Sequence, residues 1–167
     1  MIRDAGPGDR RAIEAVTLAA YEQYASVLGP ALWLAYRENI VTTLADPGPA
    51  AQLVAEASGE VVGTVLLYPA GATFDIPGRE PVRLGAPEVR LLAVAPAARG
   101  AGTGRALMEA CIRRARDAGA HTITLHTTEM MQTAMRLYER MGFERAPETD
   151  VTPAPGLLVK RYRLRLD

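Results

Sequence analysis

Residues 99–104 read Arg-Gly-Ala-Gly-Thr-Gly, an arginine followed by three glycines at alternate positions. The apolar run Leu91-Leu92-Ala93-Val94 precedes them across Ala95-Pro96-Ala97-Ala98, and a helical pattern follows to about Ala118. A strand that passes through a glycine-rich turn into a helix N-terminus is an anion cradle. Glycine lets the backbone come close to a ligand, successive N–H groups point inward, and the helix dipole favours negative charge. Arg99 adds a formal positive charge beside it. The chemistry implied is capture of a phosphate-bearing group. A Walker loop is excluded, because no Gly-Lys-Ser/Thr closes the turn. Gly100, Gly102 and Gly104 are spaced G-x-G-x-G, which is not the G-x-G-x-x-G of the dinucleotide fingerprint. The alternative is a glycine-rich turn with no ligand.

Other reactive side chains are few. Cys111 is the only cysteine, so neither an intrachain disulfide nor a cysteine metal cluster can form. It falls with Leu107, Ala110, Ala115 and Ala118 on the buried face of its helix, and reads as packing. His121 reads as a loop residue, and His126 as a strand residue able to reach an acceptor pocket. Two histidines without further spaced ligands make no metal site, so no metal is expected.

The elements that must position these groups fit one domain, residues 1–167, with 49% hydrophobic and 23% charged residues. Nineteen basic side chains balance nineteen acidic ones, which disfavours nucleic acid and anionic membrane as partners. Met1-Ile2-Arg3-Asp4 shows no secretory leader, and no apolar run reaches the ~18–20 residues of a membrane span, so a cytoplasmic protein is expected. Lys160 is the only lysine among the nineteen basic residues, a bias of GC-rich, bacterial-type coding.

Ile2–Ala5 reads as a first strand. Asp9 reads as the N-cap of a helix carrying Ile13, Val16, Ala20 and Tyr24, and Gly29-Pro30 breaks it before a second helix from about Ala31. Strands Gln52–Ala57 and Val61–Tyr68 follow, joined by Ser58-Gly59-Glu60. Residues 69–87 form a long Gly/Pro-punctuated connection, read as a functional flap or a partner-contacting loop. Glu88–Ala95 is an apolar strand that Pro96 ends. After the glycine turn and its helix come strand Thr122–Thr127, helix Glu129–Met141 with Gly142 at C′, a short strand from Phe143, and strand Leu157–Leu166. The last strand puts Arg161, Arg163 and Arg165 on one face, read as a half-solvated strand whose charges discourage edge pairing, with an anion patch as the alternative. The order predicts an α/β or α+β sandwich.

Taken together, Arg99–Gly104 after Leu92-Ala93-Val94 resembles the acyl-CoA signature of the GNAT superfamily, Arg/Gln-x-x-Gly-x-Gly/Ala. Ala134-Met135-Arg136-Leu137-Tyr138-Glu139-Arg140-Met141-Gly142-Phe143 is similar to that family's Ala-x-x-Leu-Tyr-Glu-x-x-Gly-Phe helix end. Ile2-Arg3-Asp4-Ala5 and Leu53-Val54-Ala55-Glu56 before Val61-Val62-Gly63 agree. The resemblance implies an α/β (α+β) fold with a mostly antiparallel sheet of about seven strands splayed into a V, flanked by about four helices, with acyl-CoA in the split. It implies an N-acetyltransferase that uses acetyl-CoA as co-substrate and needs no nucleophilic residue. Backbone groups of Leu92, Ala93 and Val94 would bond pantetheine, and Gly100, Ala101, Gly102, Thr103 and Gly104, with Arg99 and Arg105, would hold the pyrophosphate. Glu88 matches a position where some members place the general base, and Tyr138 the tyrosine that protonates the coenzyme A sulfur. Many members carry Asn where this chain has Met131, a contact to be lost or replaced by Thr127 or Thr128. Tyr21, Tyr24, Trp33 and Tyr36 would lie near the acceptor groove, or pack between the first two helices. The acceptor is read as a small-molecule amine, with a peptide or protein amine and a non-catalytic acyl-CoA-binding module as alternatives. A homodimer is left open.

Overall fold

The computed structural model describes residues 1–74 and 80–167, and the chain separates into two compact units. The first comprises Met1–Leu67 and Leu91–Cys111, and the second Tyr68–Arg90 and Ile112–Asp167.

In the first unit, strand β1 (Ile2–Asp4) pairs antiparallel with β2 (Ala51–Ala57), and β2 with β3 (Glu60–Tyr68). The β2–β3 hairpin closes on Ser58 and Gly59, both with positive φ (52° and 82°), the two-residue turn whose twist matches paired strands. Between β1 and β2 run the helices α1 (Arg10–Tyr21), α2 (Ala25–Leu28) and α3 (Pro30–Ala45). The break expected at Gly29-Pro30 is present: Gly29 has a φ of 77°, and Pro30 is the first residue of α3, one before the expected start.

Two details of α1 differ from expectation. Asp9 stands at the N-cap position of α1 but makes no side-chain capping bond; its carboxylate accepts the Gly6 N–H at 2.7 Å, just before the 3-10 turn Pro7–Asp9, and is held there by Arg3. Thr17, not Val16, is buried, its hydroxyl donating to Ile13 O at 2.8 Å, and Tyr24 lies past the helix end in a 3-10 turn.

Strand β6 (Glu88–Val94) ends in this unit and is followed by a 3-10 turn Pro96–Ala98 and helix α4 (Thr103–Asp117). Ala95 N–H bonds Val62 O at 2.9 Å. A Cβ placed on Gly63 would meet Thr103 Cγ2 at 3.0 Å, Ala93 O at 3.1 Å and Leu107 Cδ1 at 3.1 Å, so glycine is what lets the start of α4 lie this close to β3. Leu53, Val54, Val65, Leu66, Leu107 and Cys111 fill the interior, and Cys111 packs as expected. Ala118 is exposed beyond the end of α4.

In the second unit, the start of β6 pairs parallel with β7 (Thr122–Thr128), in register Glu88↔Thr124 and Val89↔Leu125. Strand β10 (Leu157–Arg165) lies antiparallel to β7 and on its other side pairs β8 (Glu144–Arg145) and β9 (Val151–Ala154). Strand β10 is therefore interior. Its arginines do not guard an edge: Arg161 reaches Glu88, and Arg163 reaches Glu148 at 3.0 Å. The stretch 69–87 contains a small antiparallel pair, β4 (Thr73–Phe74) with β5 (Val82–Arg83). The flap or partner loop expected there falls partly outside the described residues, at 75–79. Helix α5 (Gln132–Arg140) ends on a left-handed Gly142, with Phe143 N–H bonding Tyr138 O and Gly142 N–H bonding Glu139 O, both at 3.0 Å.

The sheet order is β1-β2-β3-β6-β7-β10-β8, with β9 on β10, which makes a mixed, mostly antiparallel eight-stranded sheet with helices α1–α5. No helix among the described residues is long and apolar enough to cross a membrane.

Candidate functional site

The glycine turn is a set of donors without acceptors. The first amide of α4 bonded within the chain is Ala106, to Gly102 O at 3.0 Å; among the described residues, those of Gly100–Arg105 have no acceptor. Gly100 and Gly102 have φ of 82° and 80°, a backbone that side chains resist, and a Cβ at either would meet nothing within 4 Å. The backbone is thus open beside Gly100 and Gly102, at the positive end of a fifteen-residue helix.

The expected charges are partly engaged. Arg99 Nη2 donates to Ala20 O at 3.1 Å, tying the turn to the end of α1. Arg105 Nε bonds Glu109 Oε1 at 2.8 Å one helical turn on. Leu92 O accepts the Tyr21 hydroxyl at 3.4 Å, and Leu91, immediately before it, has φ of 49° inside β6. A left-handed leucine in a strand is strained by about 1–3 kcal/mol and re-aims the next peptide groups, those of Leu92 and Ala93. Nothing in the sequence signals this, because leucine has no turn preference.

Tyr21, Tyr24, Trp33 and Tyr36 form one aromatic group, with centroids 5.9 Å apart for Tyr21–Tyr24, 6.0 Å for Tyr21–Tyr36 and 6.5 Å for Trp33–Tyr36. They pack between the first helices, one of the two readings above.

In the second unit Glu88 opens β6. It is 0% exposed, and both its oxygens are taken. Oε1 faces Arg90 Nε at 3.2 Å and His126 Nδ1 at 3.1 Å; Oε2 accepts from Arg161 Nη2 at 3.0 Å and Thr124 Oγ1 at 3.4 Å. Burial pushes the carboxyl up, but the His126 hydrogen bond and the charges of His126, Arg90 and Arg161 together outweigh it and hold Glu88 below the usual carboxylate range. Arg90 is steadied by Phe74, with its guanidinium 4.0 Å from the ring centroid. The cluster assembles by register: Glu88 lies opposite Thr124 on β7, and His126 opposite Arg161 on β10.

Tyr138 is buried on α5 in different surroundings, 6.0 Å from the Phe143 ring and 6.4 Å from the Tyr162 ring. Met131 is buried, and the Thr127 and Thr128 hydroxyls are buried with no hydrogen-bond partner among the described residues. Among the described residues no three His, Cys, Asp or Glu side chains are grouped to hold a metal.

Comparison with known proteins gives the same family as the motifs. The mouse N-acetyltransferase family 8 member 5 is 38% identical over 94 residues, 55% of this chain and 37% of that protein. The mycothiol acetyltransferase of Cellulomonas flavigena is 35% identical over 100 residues, 58% of this chain and 27% of that protein. The matches thus span well under half the length of these relatives. A Salmonella typhimurium chain of the acetyltransferase type, solved with its cofactor acetyl-CoA, superposes with a TM-score of 0.63 at 25% identity, covering 100% of this chain and 94% of that one. The acetyltransferase (GNAT) family matches residues 14–143. With more than half its length in that match, and with the strand, glycine turn and helix where the family signature falls, the chain belongs to the GNAT acetyltransferase family.

Proposed function

We propose that this protein transfers an acetyl group from acetyl-CoA to the primary amine of a small molecule by direct attack. The observation that carries the reading is the row of unpaired amides at Gly100–Arg105, with open space where side chains would stand. Those residues suit a pyrophosphate, with Arg99 and Arg105 supplying positive charge, and the peptide groups of Leu92 and Ala93, re-aimed by Leu91, with that of Val94 suit a pantetheine chain. Acetyl-CoA, when bound, supplies the activated thioester.

The chain's own residues do the rest. Glu88 belongs to the group that takes up the amine's proton, and Tyr138 Oη holds the proton that the departing sulfur requires. An alkyl amine has a pKa around 10.4, so at neutral pH a proton must be removed before its lone pair can attack. A backbone N–H beside the carbonyl serves as oxyanion donor, so no nucleophilic side chain is called for. The single cysteine suits a cytoplasmic setting. The relatives named for mycothiol acetylation favour a small acceptor over a protein.

The test is release of the coenzyme A thiol against a panel of small amines and peptides. Release with small amines is expected. Release with peptides alone would replace the acceptor class, and binding of acetyl-CoA without any release would leave an acyl-CoA-binding module.

A further inference from the structure

A carboxylate that takes a proton from substrate must be reachable and have a free lone pair. Glu88 meets neither requirement. Its side chain is 1% exposed, and Arg90, His126 and Arg161 take its two oxygens. The Thr124 hydroxyl is shared between Oε2 at 3.4 Å and Pro87 O at 3.3 Å, and the hydrogen bond and guanidinium charges favour the ionised form. Such a carboxylate can only accept, so the His126 nitrogen facing it at 3.1 Å, Nδ1, carries the hydrogen. The lone pair of the neutral ring is thereby placed on Nε2. The His126 side chain is 25% exposed, and among the described residues Nε2 makes no hydrogen bond.

We propose that His126 Nε2 is the atom that takes the amine proton, and that Glu88 is the positioning residue that fixes the tautomer and orientation of the ring. The proposal rests on the acetyl-transfer reading above. In the step, an ammonium N–H bond breaks, its electron pair stays on the amine nitrogen, and the proton forms the Nε2–H bond. The imidazolium then releases that proton to water before the next turnover. The charged group on the ring is Glu88, and Arg90 from β6 and Arg161 from β10 share that carboxylate with it. The two guanidiniums answer the charge of Glu88, which leaves orientation as its main effect on the ring. An imidazole fixed by a buried acid is a recurrent proton-handling unit, whereas a carboxylate enclosed by two arginines is not.

The first test is spectroscopic and needs no substrate. The protein has two histidines, His121 and His126, so the ring-nitrogen signals can be assigned with one His121→Ala control. At a pH where the ring is neutral, the His126 signals should show hydrogen on Nδ1, and Glu88→Ala should abolish that preference. Hydrogen on Nε2 in the wild type overturns the proposal. The second test is kinetic. His126→Ala and His126→Gln should lower kcat by about 10²–10⁴-fold, the usual range for acid–base catalysis. Added imidazole should restore part of the loss in His126→Ala, and the acetyl-CoA-induced shift in melting temperature should be unchanged in both. Variants as fast as the wild type sink this proposal alone. A wild type that acetylates no amine sinks the acetyl-transfer reading as well.

Discussion

The glycine turn and the Glu88 cluster are opposite kinds of polar site. At Gly100–Arg105 there are donors with no acceptor among the described residues; at Glu88 there is one carboxylate facing four donor groups. A folded protein leaves polar groups unpaired where something from outside will pair them, and surrounds a buried charge where it must stay fixed. The first region is thus organised to receive an anion. The second is organised to hold one in place and to act through its neighbours.

The largest expected effect strikes the open side of this contrast. Saturating acetyl-CoA should stabilise the wild type by about 2.7 kcal/mol at a hundred times its dissociation constant. For a chain of this size that raises the melting temperature by roughly 5–11 °C. Gly102→Val should abolish the shift, because the side chain fills space that the fold leaves empty. A folded variant with the full shift would place the cofactor elsewhere.

Next is Tyr138→Phe, which keeps the packed ring and removes the proton donor. Turnover should fall about 10²–10⁴-fold where chemistry limits the rate, with the melting temperature little changed. Equal turnover would make Tyr138 a core residue only.

The closed side should respond in stability. Glu88→Ala leaves the partly buried guanidiniums of Arg90 and Arg161 facing each other, and should cost about 3 kcal/mol in denaturant unfolding. The pH dependence follows from the lowered carboxyl. Its folded value lies below its ordinary 4.5, so its contribution is complete above that value and is lost as pH falls through the folded one. Wild type should therefore lose more stability than Glu88→Gln between pH 6 and pH 3. Asp9 and Asp150, both lowered to about 2, contribute in the same direction to both proteins. A Glu88→Gln protein that tracks the wild type would mean that the carboxyl is not held low.

The smallest effect sharpens the first. Glu109→Ala frees Arg105 from its helical partner, at a cost in stability of about 0.2–0.5 kcal/mol. Acetyl-CoA should bind somewhat more tightly, and weaker binding would show that Arg105 does not serve the turn.

The open side was legible in the sequence because its cause is local. Glycines at alternate positions before a helical pattern already specify a left-handed backbone and free amides. The hairpin at Ser58-Gly59 and the helix stop at Gly142 were legible for the same reason. The closed side was not. Glu88 meets His126 and Arg161 across 38 and 73 residues, through the register of three strands, and only the paired sheet brings them together. The alternating arginines of β10 read as an edge guard because the sequence does not show that β8 and β9 pair along its far edge, although Arg163 and Arg165 do lie exposed as the alternation suggests. Asp9 was placed correctly at the start of α1, but its carboxylate makes no capping bond because Arg3 and Gly6 occupy it, which the local pattern does not show.

Cys111 lies at 0% exposure in the interior of the first unit, and it is the only thiol in the chain. A disulfide reagent mixed with the native protein should therefore give almost no colour of its own, and a product thiol can be followed without a protein blank. The same sulfur is also a clock. Its slow modification occurs only when α4 opens away from the strands beneath it, so the labelling rate measures how often that happens. Acetyl-CoA seated on the first turn of α4 should slow the labelling in proportion to occupancy, giving a measure of affinity that requires neither an acceptor nor turnover.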